Sequence, residues 1–154
     1  MGDKKPKIKI CFIARGLTKG GVQRFILNLL REFENYNDYI FYVLTDRQDF
    51  LNKFKKLNVI YIKSENKLFW DYIKSPIVIN KIKPDWIIYP KNIIPFIHIF
   101  LSARKINMIC DLAYFKKDIN AYKFSDTFYM RLFMKLSCLI ADKVVAISGF
   151  TKND

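Results

Sequence analysis

The segment from residue 7 to residue 33 constrains the fold more than any other part of the chain, because an apolar run, a glycine loop and an amphipathic helix follow one another directly. Ile8, Ile10, Phe12 and Ile13 give residues 7–13 the β-branched and aromatic content of a strand buried in a parallel sheet. Val22, Phe25, Ile26, Leu29, Leu30 and Phe33 recur at helical spacing and draw one apolar stripe down the following segment. Between them lies Arg15-Gly16-Leu17-Thr18-Lys19-Gly20-Gly21-Val22-Gln23-Arg24. Gly20 and Gly21 have no Cβ, so the backbone can turn tightly and a ligand can approach N–H groups at the helix start.

The charges around this loop have one sign. No Asp or Glu occurs between Asp3 and Glu32, whereas Arg15, Lys19 and Arg24 gather at the loop. A first helical turn favours acidic side chains, which complement the positive end of the helix dipole, so Arg24 suits the place if an anion docks there. The same residues also read as a plain strand-to-helix turn beside a solvated basic face. The fingerprint G-x-G-x-x-G is absent, which weighs against a dinucleotide in particular.

A chain of 154 residues holds one domain with a sizeable core. Its apolar fraction of 51% and charged fraction of 27% are those of a globular protein. The formal net charge of +13 implies attraction to phosphates, whether on nucleic acid, nucleotide sugars or anionic lipids. Cys11, Cys110 and Cys138 are odd in number, lack metal-ligand spacing and sit in apolar segments, so they read as reduced core residues of a cytosolic protein. His98, the single histidine, lies in the apolar run 93–101 and reads as a core or snorkelling residue. The longest uncharged run, 92–103, is shorter than the roughly 18 residues that span a bilayer. Lys9 interrupts the N-terminal apolar segment and no cleavage site follows, so no secretory signal is read. Met1-Gly2 opens like a myristoylation site, but Pro6 stands where Ser or Thr is needed.

Along the chain, residues 39–44 predict a second strand, with Asp46 capping a short helix that runs to about Leu57. A third strand is expected over 58–62. A helical region follows the polar stretch 63–67; Pro76 divides it, Ser75 caps its second half, and it ends at Lys83-Pro84-Asp85. Residues 86–89 predict a fourth strand, Pro90-Lys91-Asn92 its loop, and 93–104 an apolar helix that tolerates Pro95 in its first turn. A fifth strand over 107–110, an irregular basic and aromatic loop over 114–123, a long helix over 126–141 and a sixth strand over 143–147 complete the pattern. Strands alternating with helices imply parallel βαβ units with helices on both faces. Ligands of such sheets bind outside the carboxyl ends of the strands, here at 15–21, Lys91, Asn92, Cys110, Asp111 and Ser148. The last residues, 149–154, read as a helix beginning, so a continuation or a partner is expected.

Several of these pieces, taken in order, resemble the N-terminal half of the group-1 (family 4) retaining glycosyltransferases of the GT-B fold. They are Gly20-Gly21-Val22-Gln23-Arg24-Phe25 after the first strand, Lys83-Pro84-Asp85-Trp86 before the fourth, Pro90-Lys91-Asn92, Asp111-Leu112-Ala113-Tyr114 after the fifth, and Ala141-Asp142-Lys143-Val144-Val145-Ala146-Ile147-Ser148 with Thr151-Lys152. The match extends from about Ile8 to the last residue. It implies an α/β fold, a Rossmann-like open parallel sheet with helices on both faces, as one half of a GT-B fold. Residues 1–154 would be the acceptor-side domain, with the C-terminal donor-binding domain absent from this chain.

The resemblance further implies transfer of a sugar, with retention, from a nucleotide-sugar donor to a glycan or lipid-linked acceptor, with no metal or cofactor and no nucleic-acid partner. Asp111 would be the catalytic residue, and Gly20, Gly21, Arg24, Lys91, Asn92, Cys110 and Ser148 would bind substrate. Gly20 and Gly21 would lie near the donor phosphates. Many family members carry His-Asp after the fifth strand where this chain has Cys110-Asp111, and a thiol does not simply replace an imidazole as a proton carrier. The glutamate pair and basic phosphate-binding residues of the family's C-terminal half have no counterpart here, so the chain alone is expected to be inactive.

The expected place is the cytoplasm, peripheral at the inner face of the membrane. Arg131 and Lys135 sit one turn apart among Phe128, Met130, Leu132, Phe133, Met134 and Leu136, a pattern that suits a core helix with two snorkelling cations or a membrane contact. The alternative of a different class is a non-catalytic basic module for anionic membrane or nucleic acid, drawing on Phe69-Trp70-Asp71-Tyr72 and Tyr114-Phe115-Lys116-Lys117. Charge with aromatics is usually a solvated face over a core. An oxidoreductase fragment ranks last, with Asp46 its only acidic candidate after the second strand.

Overall fold

The computed structural model describes residues 6–17, 20–110 and 124–148, with side chains in the last segment from residue 130. Its centre is β1 (Ile8–Ala14), which pairs in parallel with β2 (Tyr39–Thr45) on one side and with β4 (Trp86–Tyr89) on the other. With β3 (Asn58–Tyr61), β5 (Arg104–Ile109) and β6 (Lys143–Ala146) they form one open six-stranded sheet in the order β3-β2-β1-β4-β5-β6, every pair parallel. This is the strand order of a doubly wound Rossmann-like fold, and the expected fold class is what the structure shows.

Side chains of β1 alternate between two cores, as strand geometry requires. Phe12 and Ala14 face α1 (Gly21–Phe33) and meet Ile26, Leu30, Phe41, Val43 and Phe50. Cys11 and Ile13 face the other way and meet Leu44, Trp70, Ile79, Ile87 and Tyr89. The stripe on α1 buries Ile26 and Leu30 completely, each contributing roughly 1.5–3 kcal/mol, while Val22 at its start stays exposed. Phe33 ends the helix stacked on Phe41 at 4.5 Å between ring centroids.

Three local expectations are corrected. Asp46 does not cap a helix: both its carboxylate oxygens accept the Gly16 amide at 3.1 Å, and only a 3-10 turn, Gln48–Phe50, follows. The carboxylate serves the neighbouring loop because parallel pairing of β1 with β2 brings that amide beside it.

Pro76 does not divide the helical region. The chain runs through α2 (Lys67–Phe69), a π turn Trp70–Lys74 and α3 (Ser75–Ile82) without leaving helical backbone. The cap is Asn66, whose side chain accepts the amides of Leu68 and Phe69, and Ser75 lies inside the helix. In the π register the Ser75 amide bonds the Trp70 carbonyl, so the next carbonyl, Asp71, faces Pro76, which has no N–H. That carbonyl accepts Nε2–H of His98 at 2.9 Å and Oγ–H of Ser75 at 3.3 Å instead.

Residues 93–104 do not form a helix. Pro95 has an extended ψ of 130°, a 3-10 turn Phe96–Phe100 follows, and β5 begins at Arg104, three residues before the expected start at Asn107. The charged start of β5 is tolerated because each head group finds a partner. Arg104 lies over the Trp86 ring at 5.3 Å, and Lys105 Nζ donates to the carbonyls of Leu101 and Ala103 at 2.9 and 3.0 Å. The last helix, α4 (Phe124–Ile140), starts slightly earlier than expected. The expected loop 114–123 and helix start 149–154 lie outside the described residues.

Candidate functional site

Strand order reverses between β1 and β4, so their carboxyl ends open the crevice where sheets of this kind take ligands. A cavity of about 430 Å³ lies there, between the end of β1 (Ile13, Arg15, Gly16), the loop after β4 (Pro90, Lys91), the helical face of Lys67, Leu68, Asp71 and Tyr72, and Met130 and Phe133 of α4. A larger hollow of about 760 Å³ sits at the opposite, amino ends of the strands, among Ile8, Asp85, Trp86 and Arg104. Sheet topology favours the smaller cavity as the functional one.

Gly16 is where the loops meet. Its φ of 58° is left-handed, a conformation glycine adopts without a Cβ penalty. Its amide is held by Asp46 from the end of β2, and its carbonyl accepts Nζ of Lys91 from the end of β4 at 2.6 Å. Arg47 donates to the next carbonyl, Leu17, at 3.0 Å.

Arg15 then reaches across the cavity. Its Nη1 pairs with Oδ2 of Asp71 at 2.9 Å, and its guanidinium lies 5.4 Å over the Trp70 ring. Burial pushes the Asp71 carboxyl above the ordinary range even though Arg15 pulls it down. Lys91 is lowered, first by burial and then by the charges of Lys67 and Arg15. Behind this wall the Asp71 carbonyl, His98 and Tyr89 form a chain. With Nε2–H given to Asp71, Nδ1 accepts Tyr89 Oη–H at 2.8 Å, and burial holds His98 neutral with its pKa lowered to about 4.

The sequence-predicted site residues fall into separate places. Lys91 lines the cavity. Gly20, Gly21 and Arg24 stand apart from it at the start of α1, which has no side-chain cap at Gly20 and no acidic residue in its first turn. Gly20 has φ 151°, and a Cβ at Gly20 or Gly21 would meet nothing within 4 Å. Asn92, buried and left-handed at φ 64°, stitches two strand ends together: its Oδ1 accepts the Cys110 amide at 2.6 Å and its carbonyl accepts Asn107 Nδ2 at 3.1 Å. Cys110 Sγ donates to the Pro90 carbonyl at 3.0 Å. Ser148 follows β6, two strands from the β4 edge of the crevice. Asp111 lies outside the described residues.

Lys67 was not singled out from the sequence, and Asp71 and Tyr72 entered only within Phe69-Trp70-Asp71-Tyr72, as a segment for the membrane or nucleic-acid alternative. Lys67 with Asp71 and Leu68 with Tyr72 both stand at i, i+4, a spacing that puts them on neighbouring helical rows and signals one shared face. Among the described residues no group of three or more His, Cys, Asp or Glu could hold a metal, and no helix is long and apolar enough to cross a membrane.

No protein-family pattern matches the chain. No curated protein matches it either. Among solved structures it is similar to a protein from Listeria monocytogenes assigned as a UDP-N-acetylglucosamine 2-epimerase, with a TM-score of 0.56 and 14% identity over 96% of this chain. The chain spans 41% of the length of that structure. At this identity the likeness concerns the fold, which is a Rossmann-like unit of the GT-B-like kind.

Proposed function

We propose that this chain is the acceptor-side domain of a retaining glycosyltransferase, in which a nucleotide-sugar donor, held mainly by a second domain, meets a glycan or lipid-linked acceptor at the crevice described above. The observation that carries the reading is the start of α1: two open glycines, a first turn without acidic residues, and Arg24 exposed beside them, at the carboxyl end of the central strand. Such a helix start suits the donor diphosphate, because its N–H groups and dipole favour negative charge and no Cβ stands in the way. The GT-B-like fold of the matched structure supports the same reading.

The test is acceptor-dependent release of nucleoside diphosphate by the enzyme with its donor domain, with the anomeric configuration of the product read by NMR. A product of inverted configuration, or release that ignores acceptor, counts against the proposal. The assignment of the matched structure favours a second reading, nucleotide-sugar epimerisation. It requires conversion of a UDP-sugar into its isomer with no acceptor present, which the same assay resolves.

Membrane association is part of the proposal. Leu132, Leu136 and Leu139 on α4 are exposed by 45, 36 and 80%, with exposed Lys135 among them, in a chain of net charge +13. Co-sedimentation with anionic vesicles at low salt and its loss at high salt are expected. Equal binding to neutral vesicles removes electrostatics from the account.

A further inference from the structure

The cavity at the switch point is chemically distinct from the glycine start of α1, since Gly20, Gly21 and Arg24 do not line it. Among the described residues that line it, Arg15, Lys67 and Lys91 face the carboxylate of Asp71, with Asp46 close enough to act on both Asp71 and Lys91. Its wall is apolar and aromatic, with Leu68, Tyr72, Met130 and Phe133. Arg15 is only partly used by the protein. Nη1 pairs with Asp71, whereas Nε is buried without a hydrogen-bond partner among the described residues. Lys91 spends one of its three ammonium protons on the Gly16 carbonyl. A buried guanidinium donor left unpaired is costly, and a planar fork of this kind matches a tetrahedral oxyanion with two oxygens at once.

We propose that this cavity is the subsite for a phosphoryl group carried by the acceptor, bound by Arg15, Lys67 and Lys91, with Asp71 as the internal carboxylate that occupies Arg15 until the phosphoryl group arrives. Charge and shape select the ligand class: the three cations outnumber Asp71 and the neighbouring Asp46, and the planar guanidinium of Arg15 suits a tetrahedral oxyanion. The apolar wall accommodates the body of the acceptor, a sugar ring or the first part of a lipid chain. The word acceptor rests on the transferase reading above; the binding of phosphate does not.

The experiment titrates the protein calorimetrically with inorganic phosphate and with glycerol phosphate, and in parallel measures sedimentation with vesicles of phosphatidylcholine carrying or lacking phosphatidic acid. Arg15→Met is expected to weaken phosphate binding at least tenfold, and Lys67→Gln and Lys91→Gln severalfold each. Asp71→Asn is expected to tighten it severalfold, because it removes the competing carboxylate. Lys67 is exposed, so its variant keeps the test valid if Arg15→Met fails to fold. Variant-dependent binding of glycerol phosphate identifies a soluble phosphomonoester as sufficient. The same dependence seen only with phosphatidic acid vesicles identifies a lipid phosphate, and both results support the subsite. Phosphate affinity unchanged in the lysine variants, or weakened in Asp71→Asn, overturns it. Intact phosphate binding in an enzyme that shows no acceptor-dependent turnover refutes the transferase reading and leaves the subsite standing.

Discussion

Tyr89 Oη and His98 Nδ1 are 2.8 Å apart, and the direction of this bond is set from the far side of the ring. The Asp71 carbonyl that Pro76 leaves without a partner can only accept, so Nε2 carries the proton and Nδ1 accepts that of Tyr89. One neutral histidine thereby joins β4, the 3-10 turn and the π turn.

Stability should therefore depend on pH through His98. Its pKa is lowered from 6.5 to about 4 by burial, so between those values the unfolded chain binds a proton that the folded chain does not. The contribution is fully present above pH 6.5 and falls as pH drops towards 4, by roughly 3 kcal/mol in all at about 1.36 kcal/mol per unit. Urea midpoints measured at pH 7.5 and pH 4.5 should show the loss, and His98→Gln should flatten that part of the profile. A profile equally steep in His98→Gln would assign the effect to carboxylates.

Asn92 offers a second comparison. Asn92→Gly loses the bond to the Cys110 amide but keeps an easy left-handed φ, whereas Asn92→Ala loses the bond and strains the backbone. The glycine variant should cost about 1–3 kcal/mol and the alanine variant about 1–2 kcal/mol more. Equal melting temperatures for the two would show that the loop relaxes.

Thiol chemistry should rank the cysteines. Cys11 is fully buried and burial pushes its thiol far up, while Cys110 and Cys138 are partly exposed. Burial raises Cys138 as well, with Asn107 opposing it. Iodoacetamide on the native protein, followed by mass spectrometry, should leave Cys11 unmodified until denaturant is added. Early labelling of Cys11 would mean that the central strand opens.

The two loop glycines should behave differently. Gly20 sits at φ 151° and ψ −173°, a region side chains rarely adopt, so Gly20→Ala should cost about 1–3 kcal/mol although nothing blocks the Cβ. Gly21→Val should change the melting temperature little and lower turnover by the enzyme with its donor domain. A collapse of stability in Gly21→Val would make that glycine purely structural.

The sheet was readable because strands such as 86–89 are short β-branched and aromatic runs between turn residues. The first residues of β5 were hidden, since Arg104 and Lys105 look like a helix end and become strand residues only through partners distant or local in three dimensions. The apolar run 93–104 misled for another reason: Ile94, His98 and Leu101 are buried at i, i+4 and i+7, as a helix face would be, yet the backbone reaches that placement through an extended Pro95 and a 3-10 turn that leaves Phe96, Ile99 and Phe100 exposed. Lys91 was legible from its place after a strand. Asp71 was not, because its role depends on Arg15, far away in sequence, and on a helix geometry that ordinary periodicity does not describe.

That geometry has a consequence for how the segment can change over time. Trp70 and Ile79 are both 1% exposed and anchor the same core, yet a regular helix at 100° per residue would set them about 180° apart. The wide turn between them absorbs one residue and brings the difference to about 80°, within reach of a single sheet surface. It acts as a phase correction between two half-helices of fixed outlook. Loss of one residue from 71–74 would leave a regular helix with the anchors eight positions apart, still about 80°, so both could stay seated; straightening the full-length segment would instead unseat one anchor and turn the cavity wall with it.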